Sequence, residues 1–293
     1  MSVNNLNRRV IVKINIGGSL KDKLLSQVKD RLEKGKQTKV VTPNPEFIVK
    51  AYHEPNFNLI INKFDYSLPD GAYLLWAKYL QDKREMSKNW DTAGKAKKVA
   101  YNAVWACQGA FRLHFGSLAK AKLTGVDFMD DLIAMAAKEG KSVYFLGGRD
   151  SVAGKTAKYF KKKYNDLKVA GWYEGEAGTG GDKDVIMMIK KAAKRQRKRS
   201  IDLLFVAYGM GRQEEWIMRN KDKIKVNLLI GIGGAFDYYS GKVTRAPLWL
   251  RQRGGEWLFR ILIQPWRIKR QIKLLEFVYL VWSEKVRIDF KKI

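Results

Sequence analysis

The sequence predicts an α/β fold: a Rossmann-like parallel sheet with helices on both faces, followed by a C-terminal helical appendage suited to docking on a membrane. Three observations predict it. Short apolar runs ending in glycine or a polar turn recur along the chain, as in "KSVYFLGG", "IDLLFVAYGMG" and "NLLIGIGGAFDYYSG". Segments with apolar residues at helical spacing lie between them, and that alternation favours parallel strands joined by crossover helices. From about residue 245 the composition turns rich in Arg and Trp, with Trp249, Trp257, Trp266 and Trp282 in the last 50 residues.

The elements follow in order. Residues 10–16 alternate apolar and polar side chains, a strand pattern. "LKDKLLSQVKDRLEKG" has helical spacing and stops at Gly35. "TKVVTPNPEF" reads as a strand ending in a Pro-rich turn, and "PEFIVKAYHE" as a helix. "NLIINKFDYSLPDG" reads as a second strand and turn. Residues 81–123 break the rhythm with a long basic insertion whose centre is apolar. It reads as an amphipathic lid, a second membrane contact, or an excursion packed on the domain. Residues 126–139 and 153–164 read as helices. The division predicted is a catalytic domain over 1–244 and a basic, aromatic appendage over 245–293.

With 293 residues, 46% of them hydrophobic, the chain can bury a substantial core. Lys and Arg total 57 against 29 acids, a net charge of +28, so polyanions are the expected partners: nucleic acid, anionic lipid or a diphosphate substrate. One cysteine, Cys107, excludes an internal disulfide and cysteine zinc sites, and the two histidines, His53 and His114, are far apart in sequence. The opening residues lack the apolar run of a signal peptide, and no run is long enough to span a bilayer. The setting expected is cytoplasmic, with peripheral membrane contact.

"VYFLGGRDSVAGKT" approaches the phosphate-binding loop of an NTPase. That loop wraps a phosphate with backbone N–H groups and needs four residues between its glycines. Here Gly148 and Gly154 are separated by five, and bulky Arg149 stands where the loop has glycine. A strand, a glycine turn and a helix N-terminus on the ligand side is the simpler reading.

The chemistry-bearing turns lie where parallel strands end, the usual ligand edge of such sheets. Thr42 and Asn44 sit in a turn fixed by Pro43 and Pro45. Asp70 lies between Pro69 and Gly71, where a rigidly held acid can serve as general base. Gln213 and Glu214 follow another glycine turn, and Gly231, Gly233, Gly234 and Asp237 a third, where an Asp can accept ribose hydroxyls. Asp182-Lys183-Asp184 is the only D-x-D, in a Gly-rich loop, and "KKAAKRQRKRS" is the outer face of a helix or a nucleic-acid patch.

Taken in order, "VVTPNPEF", "SLPDG", "LTGVDF", "VYFLGG", "RQEEW", "IGIGGAFDYYSG" and "RAPLWLRQRGGEWLFRILIQPWRIKR" resemble the WecG/TagA/CpsF family of bacterial glycosyltransferases. The resemblance covers about 11–80 and 122–272. It implies transfer of an N-acetylmannosamine-type sugar from a UDP donor to undecaprenyl-diphosphate-linked N-acetylglucosamine. It further implies inversion, no metal or other cofactor, and a role in teichoic acid, common-antigen or capsule synthesis at the inner face of the cell membrane.

Residue by residue, the resemblance makes Asp70 the base and puts Thr42 and Asn44 opposite it. Gln213 and Asp237 become nucleotide-sugar contacts, with Gly147, Gly148, Gly231, Gly233 and Gly234 close to the donor. Arg260, Arg267 and Arg270 become the holders of the lipid diphosphate, spaced to share one side of a helix that Pro265 bends. Lys122 stands where the family has Arg, and Met210-Gly211-Arg212 replaces a Pro-Lys turn. The partners implied are the UDP-sugar, the polyprenyl-linked acceptor, an anionic membrane surface and a second copy in a homo-oligomer, with no nucleic acid. The rival expectation is a basic nucleic-acid-binding or NTP-binding protein.

The segment 244–293 carries twelve Lys or Arg against four Asp or Glu, interleaved with aromatic residues. That combination suits a helix lying at a headgroup interface.

Overall fold

A computed structural model describes residues 10–16, 20–71, 73–87, 90, 92–115, 124–197, 199–252 and 255–292. Its centre is a six-stranded, wholly parallel sheet in the order β3-β2-β7-β6-β4-β5. The strands are β2 (Thr38–Val41), β3 (Tyr66–Ser67), β4 (Ser142–Gly147), β5 (Lys168–Tyr173), β6 (Ile201–Ala207) and β7 (Val226–Gly231). β4 is buried throughout, as expected of a strand covered on both faces.

Successive side chains of a strand point to opposite faces, and the two cores follow that alternation. Tyr144, Leu146, Leu204, Val206 and Leu229 enter one core. Val143, Phe145, Leu203, Phe205, Leu228 and Ile230 enter the other. The first core is closed by α2 (Pro45–His53), α3 (Pro55–Ile61), α4 (Tyr73–Met86), α8 (Asp182–Lys194), α9 (Arg212–Asn220) and α13 (Ile268–Trp282). The second is closed by α1 (Leu20–Glu33), α6 (Gly125–Lys138), α7 (Val152–Lys163) and α10 (Ala235–Tyr239). Helices thus cover both faces, as the alternation of patterns predicts.

Three expectations change. First, the strand expected in "NLIINKFDYSLPDG" is only the short β3, because its leading "NLII" belongs to helix α3. Pro55 occupies its first turn, where a missing N–H costs nothing, and Phe57 and Ile61 are buried four residues apart. Second, the N-terminal strand β1 (Val10–Ile16) lies outside the main sheet. It pairs in parallel with β8 (Val286–Lys292), Val10 opposite Val286 and Ile16 opposite Lys292. Third, the appendage is therefore not purely helical: after α11 (Leu248–Gln252), α12 (Glu256–Ile263) and α13 it ends in β8. The strand, glycine turn and helix read in "VYFLGGRDSVAGKT" are present: Gly154, Lys155 and Thr156 lie inside α7, and the buried Thr156 hydroxyl donates to the Phe236 carbonyl at 3.2 Å. A phosphate-wrapping loop is not what this stretch forms.

The described part of the insertion packs on the domain. Its helix α5 (Lys95–Phe115) lies along α4, with Gly109 so close that an added Cβ would sit 2.9 Å from the Trp76 ring. Buried Arg84 of α4 donates to Asn102 of α5 at 2.8 and 3.0 Å and to the Val281 carbonyl of α13 at 2.9 Å. One guanidinium thereby ties three helices together.

The inner side of α13 is core: Phe277, Leu280 and Val281 are buried, and Phe277 packs against Trp76. Its outer side is apolar too, with Ile268, Ile272, Leu275 and Tyr279 exposed at spacings of four, three and four. No helix among the described residues is long and apolar enough to cross a membrane.

Candidate active site

Asp70 is delivered by β3 and the rigid Pro69 turn that follows it. Its N–H donates to the Pro43 carbonyl at 2.7 Å, locking the turn after β3 onto the turn after β2. One carboxylate oxygen accepts the Gly125 N–H at 3.1 Å. Gly125 opens α6, capped by Thr124, so the acid faces the positive end of a helix. Thr42, Leu68, Pro69, Asp70, Thr124, Gly125 and Phe128 line a small, partly open depression.

Burial pushes the Asp70 pKa up to about 6, against the lowering effect of the Gly125 N–H; Glu256 and Asp127 raise it and Arg270 lowers it. An acid tuned close to neutrality is suited to proton transfer. Thr42 is buried beside it, and its hydroxyl donates to the Gly231 carbonyl at 3.1 Å. That bond joins the end of β2 to the glycine turn after β7. Asn44 uses its side-chain oxygen to cap α2, accepting from Glu46 N at 2.9 Å and Phe47 N at 3.3 Å. Its amide NH2 is left for other partners.

The glycine turn after β7 is held from its other side by Gln213. This side chain is 1% exposed, and its oxygen accepts the Gly233 N–H at 3.0 Å. Its NH2 donates to Glu214 at 2.7 Å. Gly233 has φ +51 and nothing near its Cβ position, so the turn is open there. Gly234 and Asp237 face Arg260, which lies 3.6 Å from the Asp237 carboxylate, donates to the Tyr238 hydroxyl at 2.7 Å and stacks over that ring. Burial raises the Asp237 pKa, opposed by Arg260 and Lys242.

Gly147 and Gly148 end β4, two strands from β7 in the sheet. The three appendage arginines divide. α12 stops at Ile263 and Pro265 opens a short 3₁₀ turn, so Arg260 and Arg270 sit on separate helices with half-buried Arg267 at the joint. A proline cannot continue the N–H ladder, hence the break. Arg270 pairs with Glu46, beside Asn44. Lys122 lies outside the described residues.

Residues the sequence reading left aside also meet here. Arg245 donates to Asp127 at 2.6 and 2.9 Å and to Glu256 at 3.2 Å, tying the appendage to the start of α6. Burial works to raise the Asp127 pKa, but the Arg245 and Thr124 hydrogen bonds hold it below the ordinary value. The only signal for these two was their place in the "RAP" and "LTGVDF" blocks. Asp182 of the D-x-D is taken by Arg219 in a two-pronged pair at 2.6 and 3.0 Å.

A family model described as "Glycosyl transferase WecG/TagA/CpsF family" matches residues 9–92 and 103–290. The chain belongs to this family. It is a glycosyltransferase, and the break in the match, 93–102, lies inside the 81–123 insertion and takes in the first two turns of α5. Among curated relatives is the N-acetylglucosaminyldiphosphoundecaprenol N-acetyl-beta-D-mannosaminyltransferase of Bacillus subtilis (strain 168). It is 24% identical over 246 residues, covering 84% of this chain and 79% of that protein. The protein of the same name from Bacillus spizizenii is likewise 24% identical, over 247 residues.

Proposed function

We propose that this glycosyltransferase moves an N-acetylmannosamine-type sugar from a UDP donor to undecaprenyl-diphosphate-linked N-acetylglucosamine, with inversion and with Asp70 as general base. The observation that carries the reading is the Asp70 carboxylate: an acid with a pKa near 6, pinned by two backbone contacts, in a pocket at the strand ends. The names of the relatives supply the acceptor and the sugar.

Asp70 takes the proton of the acceptor hydroxyl as that oxygen bonds to the anomeric carbon. The bond from that carbon to the UDP oxygen breaks, and the diphosphate leaves with the electron pair. Direct displacement from the opposite side inverts the centre. The Gly231–Gly234 turn lies against the donor, where glycines let backbone N–H groups approach a phosphate. Arg260 reaches within 3.3 Å of the Cβ position of Gly234 and stabilises the leaving charge without calling on a metal. Arg267 and Arg270 receive the acceptor's diphosphate. The exposed apolar stripe of α13, with Leu262, Ile263 and Trp266 before it, rests on the anionic membrane that carries the acceptor.

The test is UDP release from UDP-N-acetylmannosamine with and without lipid-diphosphate N-acetylglucosamine, in the presence and absence of EDTA. Acceptor-dependent release that survives EDTA is expected. Release of no UDP from this or other UDP-sugars overturns the donor assignment.

A further inference from the structure

The described residues hold one buried carboxylate beside the site to which the mechanism gives no task. Glu214 is 0% exposed, at the start of α9. Its two oxygens are both committed. One accepts the Gly211 N–H at 2.7 Å, and the other accepts the Gln213 NH2 at 2.7 Å. The Gln213 oxygen then accepts the Gly233 N–H at 3.0 Å. The three bonds form a directional chain. A side-chain amide has a donor end and an acceptor end, and a carboxylate only accepts. Burial pushes the Glu214 pKa up to about 7, against the lowering effect of the Gln213 and Gly211 hydrogen bonds; in its ionised form Glu214 therefore dictates which way the Gln213 amide faces, and that orientation alone offers an acceptor to Gly233.

Packing closes off the alternatives. A Cβ on Gly231 would lie 2.7 Å from the Glu214 carboxylate and 2.8 Å from the Gln213 NH2, so both side chains press against the turn they serve. Thr42 grips the same turn from the opposite side through the Gly231 carbonyl.

We propose that Glu214 is a positioning residue for the nucleotide-sugar site: by fixing the Gln213 amide it holds the Gly231–Gly234 turn in the shape that receives the donor diphosphate. The assignment of that turn to the donor rests on the proposed function; the hydrogen-bond chain does not. Replacing Glu214 by Gln puts an NH2 group where an acceptor stood. To keep the Gly211 bond, the new amide must point its NH2 at Gln213, whose amide then turns and presents NH2 to the Gly233 N–H. Two donors meet and the turn loses its anchor. Exchanging both residues restores the polarity. The carboxylate then stands at position 213 and accepts both from the amide at position 214 and from the Gly233 N–H.

The experiment compares wild type, Glu214→Gln and the double exchange Gln213→Glu/Glu214→Gln. It reads backbone amide exchange over the 231–234 turn, together with KM for the UDP-sugar and kcat. Glu214→Gln should speed Gly233 exchange about fivefold or more, the loss of roughly one hydrogen bond. KM should rise about tenfold with a smaller change in kcat, and the double exchange should bring both back toward wild type. If Glu214→Gln does not fold, the double exchange decides alone: folded with a protected Gly233 supports the proposal, and unfolded or unprotected overturns it. Unchanged exchange in Glu214→Gln, or no rescue by the exchange of both, also overturns it. Altered exchange with rescue, in a protein that uses no UDP-sugar, keeps the positioning chain and removes only the donor reading.

Discussion

Two glycine turns end β4 and β7, two strands apart on the same sheet edge, and they are built for different purposes. At the end of β4, Gly147 has φ +98, and a Cβ there would sit 2.8 Å from the Ala207 backbone. Gly148 has φ +74, and its Cβ would meet Val152 at 2.9 Å. These glycines serve the packing of β4 on β6 and of the turn on α7. At the end of β7, Gly233 has φ +51 with nothing near, and Gly234 faces Arg260 and Asp237. The first turn is closed on itself. The second is open at its tip, gripped by Thr42 and Gln213 from either side, and next to cationic and acidic side chains. An apolar run ending in paired glycines is thus one sequence signal with two physical causes, internal crowding and an open turn.

The largest effect should come from Asp70, which shares its pocket with Thr42, the residue that grips the open turn. Asp70→Asn keeps an oxygen for the Gly125 N–H and removes the base, so kcat should fall about 10²–10⁴-fold. In wild type, kcat/KM should fall tenfold per pH unit below about 6, as the carboxylate takes up its proton. Next, Arg260→Ala should lower kcat/KM on the order of 10²-fold if the open turn receives the diphosphate, because a preorganised cation is lost. An unchanged kcat/KM would place the diphosphate elsewhere.

A third effect reads stability. The Asp70 pKa is raised by burial from 3.8 to about 6, so the folded state holds its proton to higher pH than the unfolded chain does. Stability therefore falls as pH rises from about 4 to about 6, and the cost persists above. Asp70→Asn should be the more stable protein at pH 8, by on the order of 2 kcal/mol after allowing for partial exposure, and no different at pH 4. Denaturant unfolding at the two pH values measures it.

The two turns themselves give the sharpest contrast. Gly147→Ala should cost about 2 kcal/mol or more in unfolding, from the left-handed backbone and the clash together, with KM little changed in the protein that folds. Gly233→Ala should cost only about 1 kcal/mol, since no neighbour is met, and should raise KM for the UDP-sugar. Equal effects on both measurements would erase the distinction drawn between the turns.

Much of this architecture was legible along the chain. The apolar runs read as strands became β4, β6 and β7, because a strand buried on both faces must be apolar at nearly every position. Pro43, Pro45 and Pro69 marked the rigid turns that hold Thr42, Asn44 and Asp70. Of the strand expected in "NLIINKFDYSLPDG" only Tyr66–Ser67 formed, because the apolar "NLII" has no period of its own, and Pro55 with the Phe57–Ile61 pair decided for helix there. β1 was seen as a strand, but its partner lies at the other end of the chain, beyond what local pattern can show. Arg260, Arg267 and Arg270 were read as one helical face, and Pro265 divides them.

By itself the sequence determined the kinds of element, the catalytic-looking acid in its proline turn, the basic and aromatic end of the chain, and the order of motifs that carries the family. Those are local facts of spacing, composition and order. Only the tertiary structure decided which groups meet and in what state. It put Asp70 on the N-terminus of α6, raised its pKa by burial, joined Arg245 to Asp127 across 118 residues, and buried Glu214 behind Gln213. Desolvation and hydrogen-bond direction depend on what surrounds a group in space, and neighbours in space are set by the packing of distant segments.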